Sequence, residues 1–127
     1  MIRYEQMSDI FHKVHLGDSS CMHFFAGPDV GEPHDHPWDF RSEVHVGGYV
    51  EEIYDPLTGS FEMVNRHVGD IFWVPHNRVH RIVALLDGPC VTRVWAEPPV
   101  QEPGFWKWEG DAAYRRPWND PHGWVRQ

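Results

Sequence analysis

Apolar and polar residues alternate along most of this chain in short runs that stop at Gly, Pro, Asn or Asp. From Phe40 to Val46, the residues Phe40, Ser42, Val44 and Val46 interleave with Arg41, Glu43 and His45, a period of two that places the two sets on opposite faces of a strand. Similar runs predict strands over Cys21–Ala26, Tyr49–Tyr54, Phe61–Val68, Ile71–Val74, Val79–Leu86 and Cys90–Trp95. Turn chemistry separates them: Gly27-Pro28, the Gly47-Gly48 reversal, Asp55-Pro56-Leu57-Thr58-Gly59, Gly69-Asp70, Pro75-His76-Asn77 and Asp87-Gly88-Pro89. Tyr4–Leu16 has no decisive period and suits a helical turn or an edge strand, and Gly31–Pro37 reads as a turn-rich approach to the next strand. Strands at this spacing predict an all-β barrel or sandwich. The tail, 97–127, carries Trp106, Trp108, Trp118 and Trp124 among Pro, Gly and charges, and is expected to pack on the barrel with little regular structure.

Composition narrows the class. The 127 residues suit a single domain, 1–127, with a barrel core at about 19–96. Hydrophobic residues make up 41% and aromatics 14%, enough apolar surface to offset the entropy of ordering the chain. Nineteen acidic against eleven basic residues give a formal charge of -8, which repels phosphate backbones and anionic lipid. No nucleic-acid or membrane partner is therefore expected. No run approaches the roughly 20 apolar residues of a membrane span, and Met1–Ile10 lacks a charged-then-apolar leader pattern, so the expected location is the cytoplasm. Cys21 and Cys90 are too few for a disulfide framework and are read as reduced core thiols.

Ten histidines are the compositional oddity, since imidazole is the commonest metal ligand. His34 and His36 sit two apart, so on extended backbone both rings point to one side and can converge on one cation, with His80 as the third donor. His34-Asp35-His36-Pro37, followed by a strand and the Gly47-Gly48 turn, resembles the first cupin motif; Gly69, Pro75 and His80 match the second. The resemblance covers roughly the middle half of the chain and implies a cupin double-stranded β-barrel, a jelly roll, of the RmlC-like superfamily. The glutamate that commonly follows the HxH pair in metal-binding cupins is replaced by Arg41, the motif-two glycine by Asn77 and its trailing asparagine by Ala84, so the member is divergent. Asp39 is the favoured added ligand, with Glu43 as the alternative, while a three-histidine site without a carboxylate is similar to that of thiol dioxygenases in the same superfamily.

The resemblance implies a mononuclear divalent metal on His34, His36 and His80, Fe(II) first, with Ni(II), Mn(II) and Zn(II) also suited to imidazole. The leading function is a metal-dependent oxygenase acting on a small anionic molecule. Arg41 would clamp the anion, and Tyr49 or His45 would shuttle a proton; the structural alternative for Arg41 is an ion pair with Asp39 or Glu43. Two rivals stand beside it. One is a sugar or sugar-nucleotide isomerase or epimerase with His34 or His80 as base and a cleft lined by Arg78, Arg81 or Arg93; the other is a non-enzymatic ligand-binding cupin. Cupins often dimerise, and the aromatic tail offers a homodimer contact. Phe72, Trp73 and Trp95 are expected to fill the barrel, and Trp38 to cap the site or pack against the tail. No role falls to His12, His15, His23, His67, His76 or His122.

Overall fold

The computed structural model describes residues 1–127 apart from the Val30 side chain. It contains β1 Arg3–Gln6, β2 Phe11–His15, β3 Ser20–Phe25, β4 Asp29–His34, β5 Phe40–Val46, β6 Tyr49–Tyr54, β7 Phe61–Arg66, β8 Ile71–Val74, β9 Val79–Leu85, β10 Cys90–Ala96, β11 Gly104–Glu109, β12 Ala112–Pro117 and β13 Val125–Arg126. They form two sheets, a six-stranded one ordered β1-β2-β3-β10-β5-β8 and a seven-stranded one ordered β13-β12-β11-β4-β9-β6-β7, whose strand pairs are antiparallel. This is the all-β architecture that the strand spacing predicts, in the jelly-roll form that the cupin resemblance implies. Among the described residues no helix is long and apolar enough to cross a membrane.

Alternation along β5 sets the inside and the outside. Phe40, Ser42 and Val44 are buried, while Arg41 and His45 are exposed. The inner residues join two clusters: Phe25, Val44, Tyr49, Ile82 and Cys90 in one, Phe40, Val74 and Val94 in the other, with Phe72 packed against both. Burying each large apolar side chain contributes on the order of 2 kcal/mol. Trp73 and Trp95 do not fill the barrel as the sequence suggested. Trp73 alternates to the outer face of edge strand β8 and is 49% exposed; Trp95 lies outside too, stacked under the guanidinium groups of Arg41 and Arg93 at 4.2 and 4.7 Å.

Gly47-Gly48 does more than reverse the chain. It carries the backbone from β5 in one sheet to β6 in the other, with φ of 77° and 88°. A Cβ on Gly47 would lie 2.3 Å from the Pro89 carbonyl oxygen, and one on Gly48 2.5 Å from that of Arg66, so both the torsion and the space require glycine.

Both ends of the chain are more regular than the sequence suggested. Tyr4–Leu16 resolves into the β1–β2 hairpin, which extends the six-stranded sheet beyond β3. The tail, expected to be irregular, instead supplies β11, β12 and β13, which pair mainly with one another and join the jelly roll where Phe105 of β11 meets His34 of β4. Its aromatics explain the difference. Trp106 and Trp108 turn toward Tyr54, which stacks on Trp108 at 5.1 Å, while Phe105 and Lys107 turn the other way under Arg116, Tyr114 and Trp124. With aromatic residues on both faces, the strand shows no polar-apolar alternation to read.

Candidate functional site

His34 is the last residue of β4 and lies directly opposite His80 of β9 in the register, so the two rings share a face. His36 follows in the next segment, held by its amide donating to the His76 carbonyl at 3.1 Å. The three ring centroids lie 4.8 to 5.3 Å apart, and one nitrogen from each ring falls within 4.8 Å of the others. This three-histidine group can hold a metal ion. Burial, then the neighbouring imidazoles, pushes His34 down to about 4 and His36 well below the ordinary histidine value. Both rings are therefore unprotonated near neutral pH, with lone pairs free to donate.

Between those two histidines, Asp35 points the opposite way and is buried. Its carboxylate accepts from the Gly104 amide at 2.8 Å, from the Trp106 indole at 2.8 Å, and from Arg115 in a fork at 2.8 and 3.1 Å. A Cβ at Gly104 would lie 2.6 Å from the Arg115 guanidinium carbon, so glycine leaves the room for that fork. The tail thereby fixes the backbone that carries both rings.

Glu51 of β6 does the corresponding work for His80. It is 1% exposed, accepts from His80 Nδ1 at 2.8 Å, and accepts from Arg66 at 2.8 and 3.1 Å. Burial alone would raise its pKa, but the His80 and Arg66 hydrogen bonds and charges more than offset this, and it lies below the usual value. A carboxylate on Nδ1 holds the tautomer whose Nε2 faces the group, and that atom lies 3.2 Å from Nε2 of His36.

Above the triad opens a cavity of about 530 Å³. Its walls include Phe11, Phe25, Phe40, Ile82 and Val94, with Trp38 at the Phe40 side and Tyr49, Ser42 and Thr92 as neutral polar positions. Burial, then Glu51, pushes the Tyr49 phenol well above its ordinary value, so it stays protonated and faces the cavity as a hydrogen-bond donor.

Several residues singled out in the sequence lie elsewhere. Arg41 and His45 are on the outer face of β5, where the strand parity puts them: Arg41 is 48% exposed, 3.8 Å from Glu43, and His45 meets Glu43 at 3.3 Å. Neither lines the cavity, which corrects the expectation that this face is interior. Asp39 does not join the three histidines. Its Oδ1 accepts from the His76 amide and ring Nδ1 at 2.7 and 2.8 Å, and those bonds lower its pKa. Glu43 is outside with Arg41 and His45. Of the cleft arginines, Arg81 pairs with Glu52, Arg93 with Asp18, and Arg78 reaches the Trp73 carbonyl; none lines the cavity. Sequence reading missed Glu51, Asp35 and Arg115. The available signal for Glu51 was the pair Glu51-Glu52 inside a strand otherwise made of Tyr, Val and Ile, where two carboxylates need buried partners.

No family model and no curated protein matches the sequence. Solved structures do match. The Drosophila melanogaster CENP-C structure bound to CAL1 aligns with a TM-score of 0.60 at 12% identity over 76% of each chain, and another structure of that protein is described as its cupin domain. CapF, the capsular polysaccharide assembling protein of Staphylococcus aureus, aligns at 0.59 and 14% identity over 80% of this chain and 29% of its own. An oxalate oxidase aligns at 0.51 and 19% identity over 64% of this chain and 43% of its own. At these identities the likeness is one of fold, and these neighbours include a binding protein as well as enzymes.

Proposed function

We propose that this chain, a divergent cupin by fold, binds one divalent metal ion on His34, His36 and His80 and acts as a metal-dependent oxygenase on a small molecule held in the cavity above them. The observation that carries the reading is the convergence of three imidazoles, with no carboxylate among them, in the wall of a cavity large enough for a ligand. One pair of donors already has the spacing of a metal site, and the nitrogen of His34 lies within 4.8 Å of both. Two imidazole nitrogens bound at about 2.05 Å to one tetrahedral ion lie roughly 3.3 Å apart, and the Nε2 atoms of His36 and His80 lie 3.2 Å apart.

When bound, a metal with three neutral protein ligands keeps open positions and supplies Lewis-acid or redox chemistry there. The protein's own groups have separate tasks. Glu51 keeps the His80 proton on Nδ1, Asp35 and its partners hold the His34–His36 backbone, Tyr49 offers a phenol hydrogen-bond donor toward the cavity, and the apolar wall excludes water from the ligand. Imidazole suits Fe(II), Ni(II), Mn(II) and Zn(II) alike, and Fe(II) is the choice for oxygen chemistry.

Elemental analysis of the purified protein is expected to give one equivalent of divalent metal, lost in the His34→Ala/His80→Ala double variant. Oxygen uptake by the Fe(II)-loaded protein over a panel of small carboxylates and thiols tests the reaction class. Full occupancy in the double variant would overturn the site; metal binding with no uptake on any compound would leave a ligand-binding cupin. A second reading, a sugar isomerase with His80 as base, draws on the buried Glu51–His80 pair, since a carboxylate-held imidazole is a base in many enzymes. Turnover that survives complete removal of metal by a chelator would favour it.

A further inference from the structure

The cavity wall carries one permanent cation, and it is not the one the sequence pointed to. Alternate residues of β2, Phe11, Lys13 and His15, line the cavity, and Lys13 lies opposite His23 of β3 in the register. No other lysine and no arginine lines it. Among the described residues Arg41, Arg66, Arg81 and Arg93 each have a carboxylate within ion-pair distance, whereas Lys13 has none: Glu5 of β1 lies opposite it in the register, but its carboxylate meets His15 at 2.9 Å, and the Lys13 ammonium lies 5.4 Å from the centroid of Phe11. His23 adds no charge, because burial, with Lys13 and His15 nearby, pushes it down to about 3.

The geometry points to a ligand with an apolar, ring-sized body and a single carboxylate, the carboxylate meeting Lys13 and the body lying against Phe11, Phe25, Phe40 and Ile82. An unpaired ammonium beside apolar surface is stabilised by an anion that also fills that surface. One lysine matches one negative charge. A phosphate dianion calls for several cations or a helix N-terminus, and this wall has neither. The volume lies within the range of small-ligand sites. A second donor on such a ligand would reach toward the triad, and this part of the inference rests on the metal reading above. Two carboxylates compete with such an anion: Glu5, opposite Lys13 in the register and bonded to His15, and Asp29, an exposed carboxylate on the β4 wall whose Oδ1 accepts from the Gly31 amide at 3.4 Å. Either would favour an amine.

Calorimetric titration of Zn(II)-loaded and chelator-stripped protein with 3-phenylpropanoate, 3-phenylpropanamide and 3-phenylpropylamine separates these cases. The acid is expected to bind at least tenfold more tightly than the amide in both metal states. Lys13→Met should reduce the acid to the amide's affinity, Lys13→Arg should retain the preference, and metal content should be unchanged in both variants. Equal binding of acid and amide, preference for the amine, no binding of any probe, or a tenfold preference that persists in Lys13→Met would overturn the inference. Metal content is measured on the same samples, so a Lys13-dependent acid preference in a protein that binds no metal would overturn the metal centre and leave the carboxylate site standing.

Discussion

Glu51 is the residue on which the proposed centre most depends without touching it. Glu51→Gln keeps the shape and one acceptor but loses the charge that balances Arg66 and holds the His80 proton. Metal affinity should fall by about 10- to 100-fold, the usual effect of removing a ligand's outer partner, as read by competition with a chromophoric chelator. Glu51→Ala leaves the guanidinium of Arg66, itself largely buried, without its carboxylate and should lower stability by about 3 to 5 kcal/mol. Arg41 offers the opposite case. It lies on the outer face between Glu43 and Trp95, so Arg41→Lys should leave metal content and cavity binding unchanged and alter stability by less than about 1 kcal/mol. An Arg41→Lys protein that loses cavity affinity would show that the side chain swings inward. The sequence carried the parity that separates Arg41 from Ser42 and Val44, but nothing in it stated which set faced in. That choice is made by burial, and Phe40, Ser42 and Val44 win it because they pack with Val74, Val94 and the Phe25 cluster.

At the level of elements, the strand runs with clear period and turn residues were legible: β5, β6 and β8 have the bounds that the pattern predicts, β7, β9 and β10 differ by one or two residues at an end, and β3 is shifted by one residue at both ends. The three histidines were legible because their spacing is local to two short segments. What the sequence hid are the contacts between distant elements. Asp35 and Arg115 are charged residues of ordinary appearance until β11 and β12 close over β4. The C-terminal hairpin is therefore an arm of the site rather than a wrapping. Arg115→Ala should cost about 3 to 5 kcal/mol by leaving the Asp35 carboxylate buried without its cation. It should also weaken metal binding, whereas a variant at exposed Trp118, which donates to Glu102 at 3.1 Å, should not. Chemical denaturation followed by metal titration of the two variants distinguishes an arm from a wrapping.

For the whole molecule, the buried imidazoles make stability depend on pH. The folded values of His23 and His34 are about 3 and about 4, against an ordinary 6.5, and His36 moves in the same direction. As pH falls below 6.5 the unfolded chain takes up protons that the folded chain refuses. Metal-free protein should therefore lose stability from about pH 6.5 down to about 4, on the order of 1 kcal/mol per pH unit for each ring, levelling as the folded rings protonate. Glu51, whose folded value is lowered, adds to the loss as pH falls below its ordinary 4.5. Thermal melts at pH 7, 6 and 5 in the presence of chelator check this, and a melting temperature that does not change across them would refute it. The clamp on Asp35 has one more consequence, which concerns time. Arg115 is made 80 residues after Asp35, and at about 5 to 20 residues per second that interval is roughly 4 to 16 s. During it the HxH segment emerges, and His80 after it, while the groups that fix their backbone do not yet exist. A metal ion meeting the growing chain finds separate imidazoles on a mobile strand, and its capture follows availability and intrinsic affinity. Only when the hairpin arrives would geometry begin to discriminate, so in the proposed centre the choice of ion waits on β11 and β12, made well after the imidazoles themselves.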